Sequence, residues 1–177
     1  MNSGDRAIRL ASGDKVALRE IYQQCKRELF LFARTLANGN SADAEDLLQE
    51  SLLRVWEARR YLAGVRDVRA YLFTTLRNVF LNSVRRESRE ARRRAEHPNM
   101  PGLIIQGPPD DPVAPEELNK ALKSLPEEQK QVVVLKIWGE LTFAEIASVL
   151  DVPEKTAASR YRYGLLKLKN LWETTRE

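Results

Sequence analysis

A chain of 177 residues, 43% hydrophobic and 31% charged, has room for one or two compact domains and is too apolar to be a disordered chain. One cysteine and one histidine exclude a disulfide scaffold and leave little for a zinc site. The net charge of +4 is unevenly spread: 19 basic against 13 acidic residues through Glu96, and 10 against 12 from Pro98 onward. No run approaches the roughly 18 apolar residues of a membrane span. The opening MNSGDRAIRL lacks the apolar core of a signal peptide. A cytoplasmic protein with no membrane insertion is expected.

In chain order, Leu18, Tyr22, Cys25, Leu29, Ala33 and Leu36 recur at three- and four-residue steps and predict a helix over 14–37. Asn38-Gly39-Asn40 ends it, and Ser41 is the expected cap of a second helix, with Asp43, Glu45 and Asp46 favoured in its first turn. At 100° per residue that helix turns Ala44, Leu47, Leu48, Ser51, Leu52 and Val55 inward. Asp46, Gln49, Glu50, Leu53, Trp56 and Glu57 face outward, an acidic face holding large apolar groups, as in a protein-docking surface. Trp56 has a second reading, folded back over the edge of the core.

A third helix starts near Asp67 and runs into the arginines at 77, 85, 86, 89, 92, 93 and 94. Its inner positions are Leu72, Leu76, Val79 and Ser83. Opposite lie Tyr71, Thr74, Arg77, Asn78, Leu81 and Arg85, groups that stack on unpaired bases and hold phosphates. The loop 61–67 stands where it can help hold a base out of the stack.

The segment HPNMPGLIIQGPPDDPVAP holds six of the eight prolines and cannot continue a helix. It reads as a linker, with Leu103-Ile104-Ile105 as its apolar patch. Leu118, Leu122 and Leu125 then open a second helical domain. Pro126 marks a helix start followed by Glu127 and Glu128, and 132–138 is apolar nearly all round, hence central. In LTFAEIASVLDVPEKTAASRYRYGLLKL the layout is a helix-turn-helix: Thr142 and Glu145 form a capping box, Asp151-Val152-Pro153 the turn, and 153–172 the last helix. That helix is expected to bury Ala157, Tyr161, Leu165, Leu168 and Trp172. It presents Lys155, Thr156, Ser159, Arg160, Arg162 and Tyr163, the side-chain types that contact phosphates and base edges.

Three stretches together resemble the sigma-70 family of bacterial initiation factors, in its small extracytoplasmic-function (ECF) class. DAEDLLQESLLRVW (43–56) is similar to that family's core-polymerase-binding helix, RAYLFTTLRNVFLNSVRRESR (69–89) to its segment for opening and reading the −10 element, and 124–162 to its −35-reading domain. The resemblance implies an all-α protein of two helical domains, 1–96 and 115–177, joined by a Pro-rich linker over 97–114. It implies that Asp46, Leu47, Gln49, Glu50 and Leu53, beside Trp56 of the same face, meet the clamp helices of the largest polymerase subunit. Asn78, Leu81, Asn82, Arg85 and Arg86 match the −10 segment, next to Tyr71 and Arg77. Lys155, Thr156, Ser159, Arg160 and Arg162, with Tyr163, match the recognition helix. Ala158 and Tyr163 stand where the family often has basic residues, and Tyr71 where it has Trp. Core RNA polymerase and promoter DNA are the implied partners, and members of the class are commonly held by an anti-sigma factor.

The rival class is an autonomous helix-turn-helix regulator, which leaves the docking helix unexplained and would bind a palindrome as a dimer. An enzyme is not expected: His97 lies in the linker, Cys25 on a buried stripe, Asp110-Asp111 in a loop, and no Gly-rich phosphate loop is present. No catalytic residue, metal or cofactor is expected.

Overall fold

The computed structural model describes residues 3–65, 67–96 and 121–174. Their helices are α1 (Ser3–Ala11), α2 (Lys15–Leu36), α3 (Ser41–Glu57), a 3-10 helix (Arg59–Gly64), α4 (Val68–Glu96), α5 (Glu127–Ile137), α6 (Phe143–Leu150) and α7 (Glu154–Thr174), and no strand occurs among the described residues. The protein is all-α, as expected. The linker over 97–114, with His97, Leu103-Ile104-Ile105 and Asp110-Asp111, lies outside the described residues, as does Leu118.

Helix α1 is an addition to the sequence reading. Ala7 and Leu10 are fully buried, and the helix packs on the 3-10 segment and on α2. Arg9 fastens it by ion pairs to Asp14 at 2.7 Å and Glu20 at 3.0 Å. Asp14 is also the α2 cap, its carboxylate accepting from the Val16 and Ala17 amides. These bonds, that to Arg9 first, hold the Asp14 carboxyl below its ordinary range.

The expected stripe on α2 holds only in its second half. Cys25 has φ −127° and ψ 18°, a kink that breaks the 3.6-residue phase. Before it the buried positions are Ala17 and Ile21, while Leu18 and Tyr22 are only half-buried. Beyond it, every residue from Leu31 to Leu36 is buried, because α3 and α4 cover one side and α5 the other. Asn38 and Gly39 then adopt positive φ and end the helix. The cap of α3 is Asn40, whose side chain accepts from the Ala42 and Asp43 amides, and Ser41, the expected cap, is instead buried in the first helical turn. Asn40 wins because it holds the extended backbone (ψ 115°) that follows the left-handed pair.

The centre of the first unit is Phe32 of α2 against Phe73 of α4, both fully buried and edge-on at 5.7 Å. The second unit is built on α5, whose Val132 to Leu135 are buried as expected. Gly164 of α7 crosses α5 so closely that a Cβ there would lie 2.8 Å from Val133 Cγ2. The two units touch: α5 lies on α2 and α6 on α4. A cavity of about 260 Å³ between them is lined by Leu31, Arg34, Thr35 and Asn38 on one side and Leu122, Lys123 and Lys130 on the other.

Cys25 is buried, and burial pushes its thiol up to about 11. The nucleophilic thiolate is therefore scarce at pH 8. Modification by an aromatic disulfide reagent at that pH is expected to be slow in the native protein and fast in denaturant; equal rates would mean that the α2 kink opens freely.

Candidate nucleic-acid interface

Three surfaces carry the residues singled out from the sequence. On α3, Asp46, Gln49 and Glu50 are exposed, and Leu53 is 63% exposed among them. Glu50 accepts from Arg54 one turn on, at 2.6 Å. Leu47 is corrected: at 8% exposure it belongs to the core, as its place in the inward stripe requires. Trp56 takes its second reading. It is half-buried against the core, with the Arg59 guanidinium 4.4 Å from its ring. The outward face is thus a lone large leucine in an acidic field.

On α4, Asp67 accepts from the Arg69 and Ala70 amides and starts the helix where expected. Leu72, Leu76 and Val79 are buried, and Asn78, Asn82, Arg85 and Arg86 are exposed. Tyr71, Arg77 and Leu81 are half-buried. The side chains of Arg89 and of the three arginines at 92–94 lie outside those described. The segment expected as a loop over 61–67 is largely the 3-10 turn, which drives Tyr61 outward to 86% exposure. Tyr61 is the most exposed aromatic ring on the described surface, available to a base or to a partner.

The helix-turn-helix forms as read. Thr142 Oγ1 accepts from the Glu145 amide at 3.2 Å, and Glu145 accepts from the Thr142 amide at 2.7 Å. The Thr142 hydroxyl, donating to the Glu145 carboxylate at 2.7 Å, and then the Thr142 amide, ahead of the nearby charges of Arg69 and Lys136, hold the Glu145 carboxyl below its ordinary range. A carboxyl depressed by folding stabilises above its ordinary pKa and ceases to do so as the pH falls through the lowered value. The box is therefore intact at neutral pH. Asp151 ends α6 in the left-handed region at φ 51°, and the Pro153 carbonyl accepts from the Thr156 and Ala157 amides to begin α7.

Helix α7 buries Ala157 and Gly164 and packs Tyr161 edge-on to Phe143 at 5.6 Å, with Leu168 half-buried. Leu165 is a second correction. It is 37% exposed, because Gly164 takes the position against α5 that the sequence stripe assigned to a large residue. The side chain of Trp172 lies outside those described. Lys155, Ser159, Arg162 and Tyr163 are exposed along the outer face, with Thr156 half-buried at its edge. Arg160 differs from expectation: it is paired with Glu128 of α5 at 2.6 Å rather than standing free beside them. The sequence hid this partner because Glu128 reads as a first-turn acid complementing the α5 dipole.

A helix-turn-helix with a basic, hydroxyl-bearing outer face, on a chain whose other unit shows an acidic face around a bare leucine, defines a DNA-binding protein that also docks on a protein. The family models described as Sigma-70 region 2 and Sigma-70, region 4 match residues 21–90 and 116–168. Over 169 residues the chain is 29% identical to the ECF RNA polymerase sigma factor SigL of Mycobacterium tuberculosis, covering 90% of each. It is 31% identical to the RNA polymerase sigma-E factor of Streptomyces antibioticus, covering 75% of this chain and 72% of that one. Among solved structures, the sigma factor RpoE of Bartonella quintana, in complex with the anti-sigma factor NepR, has a TM-score of 0.68 at 22% identity over 88% of this chain and 96% of that one. CnrH, in complex with the cytosolic domain of CnrY, has the same score at 20% identity over 97% of each, and these two likenesses bear on the fold alone. The chain belongs to the sigma-70 family of RNA polymerase sigma factors, in the ECF class. It is a transcription initiation factor that directs RNA polymerase to promoters.

Proposed function

We propose that the chain works as an adaptor without catalysis of its own, in the cytoplasm, with 1–96 as polymerase-docking and −10-reading domain, 97–114 as linker and 115–177 as −35-reading domain. The observation that carries the division of labour is the pair of unlike surfaces: Leu53 bare among Asp46, Gln49 and Glu50 on α3, and the basic face of α7. The α3 face meets the clamp helices of the largest polymerase subunit. Lys155, Thr156, Ser159, Arg162 and Tyr163 meet duplex DNA upstream, and Arg160 joins them only by leaving Glu128. On α4, Tyr71, Arg77, Asn78, Leu81, Asn82, Arg85 and Arg86 hold the unpaired strand near the start site. Opening DNA loses stacking of about 1.4 kcal/mol per step, and an aromatic platform returns roughly 1–3 kcal/mol per stacked base. An anti-sigma factor binding one of these surfaces would silence the chain; RpoE of Bartonella quintana is itself in complex with an anti-sigma factor, NepR.

The test is co-elution with bacterial core RNA polymerase on size exclusion. The wild type is expected to travel with the polymerase. Glu50→Lys is expected to elute alone, helicity unchanged, since the residue is exposed and its partner Arg54 lies on the same helix. A variant that still co-elutes removes α3 as the docking surface.

A further inference from the structure

The first turn of α5 carries two adjacent acids, Glu127 and Glu128, and they act in different places. Glu127 stays on its own helix, accepting from the Lys130 ammonium at 2.8 Å and from the Gln131 side-chain amide at 3.3 Å. That is the local work of an acid near the positive end of a helix dipole. Glu128 instead reaches across to α7, where its carboxylate lies 2.6 Å from the Arg160 guanidinium. Its side chain is 70% exposed and that of Arg160 is 24% exposed, so the pair sits at the rim of the helix crossing. Arg160 belongs to the helix whose outer face holds Lys155, Ser159, Arg162 and Tyr163. Two residues on, the Arg162 guanidinium lies 5.1 Å from the centre of the Tyr163 ring, a partner that leaves its charge uncancelled. On one DNA-facing helix, then, one arginine keeps its charge and another has it cancelled from a different helix.

We propose that Glu128 is a specificity-determining residue: it cancels the charge of Arg160 on DNA of any sequence and gives the guanidinium up only to a base edge that offers two acceptors. The inference rests on reading α7 as the −35-reading helix. An uncancelled arginine on such a face is drawn to every phosphate, an attraction that is the same for all sequences. Paired with a carboxylate, Arg160 brings no net charge to a phosphate, and leaving Glu128 for a phosphate oxygen merely exchanges one oxyanion for another. A guanine edge differs, because O6 and N7 together meet two nitrogens of the guanidinium in the major groove. The pair with Glu128 is partly exposed and therefore weak enough to open at a matching site. Discrimination of this kind works by penalising the wrong sequence as much as by fitting the right one.

The test uses the holoenzyme, the chain with bacterial core RNA polymerase, transcribing a promoter pool randomised through the −35 and −10 elements, with the used templates sequenced. Glu128→Gln keeps the side-chain shape and removes the charge. Glu127→Gln is the control, the same change of net charge in the same helical turn. Glu128→Gln is expected to weaken the preference at one −35 position by about two- to fivefold, with the other positions unchanged. Its holoenzyme is also expected to bind promoterless duplex more tightly, with a salt dependence steeper by about one phosphate contact. Glu127→Gln is expected to match the wild type in both. Arg160→Ala is expected to lose preference at the same position, and Glu128→Gln added to it to change nothing more. Behaviour of Glu128→Gln like that of Glu127→Gln overturns the proposal. So does a loss spread over every −35 position together with a lower unfolding midpoint, the mark of a residue that only holds α5 to α7. If Arg160→Ala leaves the −35 preference intact, the reading of α7 through Arg160 falls and takes the proposal with it, whereas failure of the Glu128 variants alone leaves that reading standing.

Discussion

Phe73→Ala is expected to destabilise the first unit by about 3–5 kcal/mol, the largest loss of any single side chain proposed here. Phe73 is fully buried and meets the Phe32 ring edge-on at 5.7 Å, so the substitution removes a ring's volume from the joint between α2 and α4 and an aromatic pair with it. The helices α2, α3 and α4 pack pairwise on one another, which fixes their backbones around the joint. They cannot collapse into the space. Urea unfolding followed by helicity measures the loss. Phe32→Ala is expected to match it, and the double variant to lose less than the two combined, because the pair is counted in each single variant. A loss under about 1 kcal/mol at Phe73 would place the centre of this unit elsewhere.

Gly164→Ala is expected to disturb the recognition helix more than any other small substitution on it. In an isolated helix alanine would be better than glycine by roughly 1 kcal/mol. Here the added methyl lies 2.8 Å from Val133 Cγ2, and Val133 is fully buried. A β-branched side chain has few rotamers to escape into, so α7 must shift off α5 and the overpacking, about 1–3 kcal/mol, outweighs the propensity gain. The expected result is a lower unfolding midpoint together with reduced promoter-directed transcription, since Lys155, Ser159 and Arg162 move with the helix axis. Val133→Ala in the same chain makes room and is expected to restore much of both. If Gly164→Ala instead stabilises the protein, the crossing of α5 and α7 is wider than described.

The local signals in the sequence are those whose physics is also local. Asp14, Asp67 and the Thr142–Glu145 box sit where a cap must, because a cap bonds only amides within its own first turn. The inward stripes of α3 and α4 follow from one unbroken helical period: Ala44, Leu47, Leu48, Ser51, Val55, Leu72, Leu76 and Val79 are buried, Leu52 and Ser83 half-buried, and Phe73 is buried beside the α4 stripe. Sequence and structure part where that condition fails. The Cys25 kink shifts the phase of α2 between Ile21 and Leu29, and α1 is too short for periodicity to reveal. Leu47 lies in the inward stripe of α3, and the structure buries it there although the resemblance places it on the docking face.

The sequence by itself determined an all-α chain, the starts of α2, α4 and α6, the helix-turn-helix and the acidic-apolar face of α3, because each depends on neighbours three or four residues away. Only the tertiary structure decided which of the candidate side chains are free. Arg160 is spoken for by Glu128, Trp56 is folded under Arg59, and Arg69 is met by Glu140 from a unit some seventy residues further along the chain. Gly164, silent in any hydrophobic pattern, sets how closely α7 approaches α5. Pairings of this kind depend on where two helices cross, and a crossing leaves no period in either strand of sequence to read.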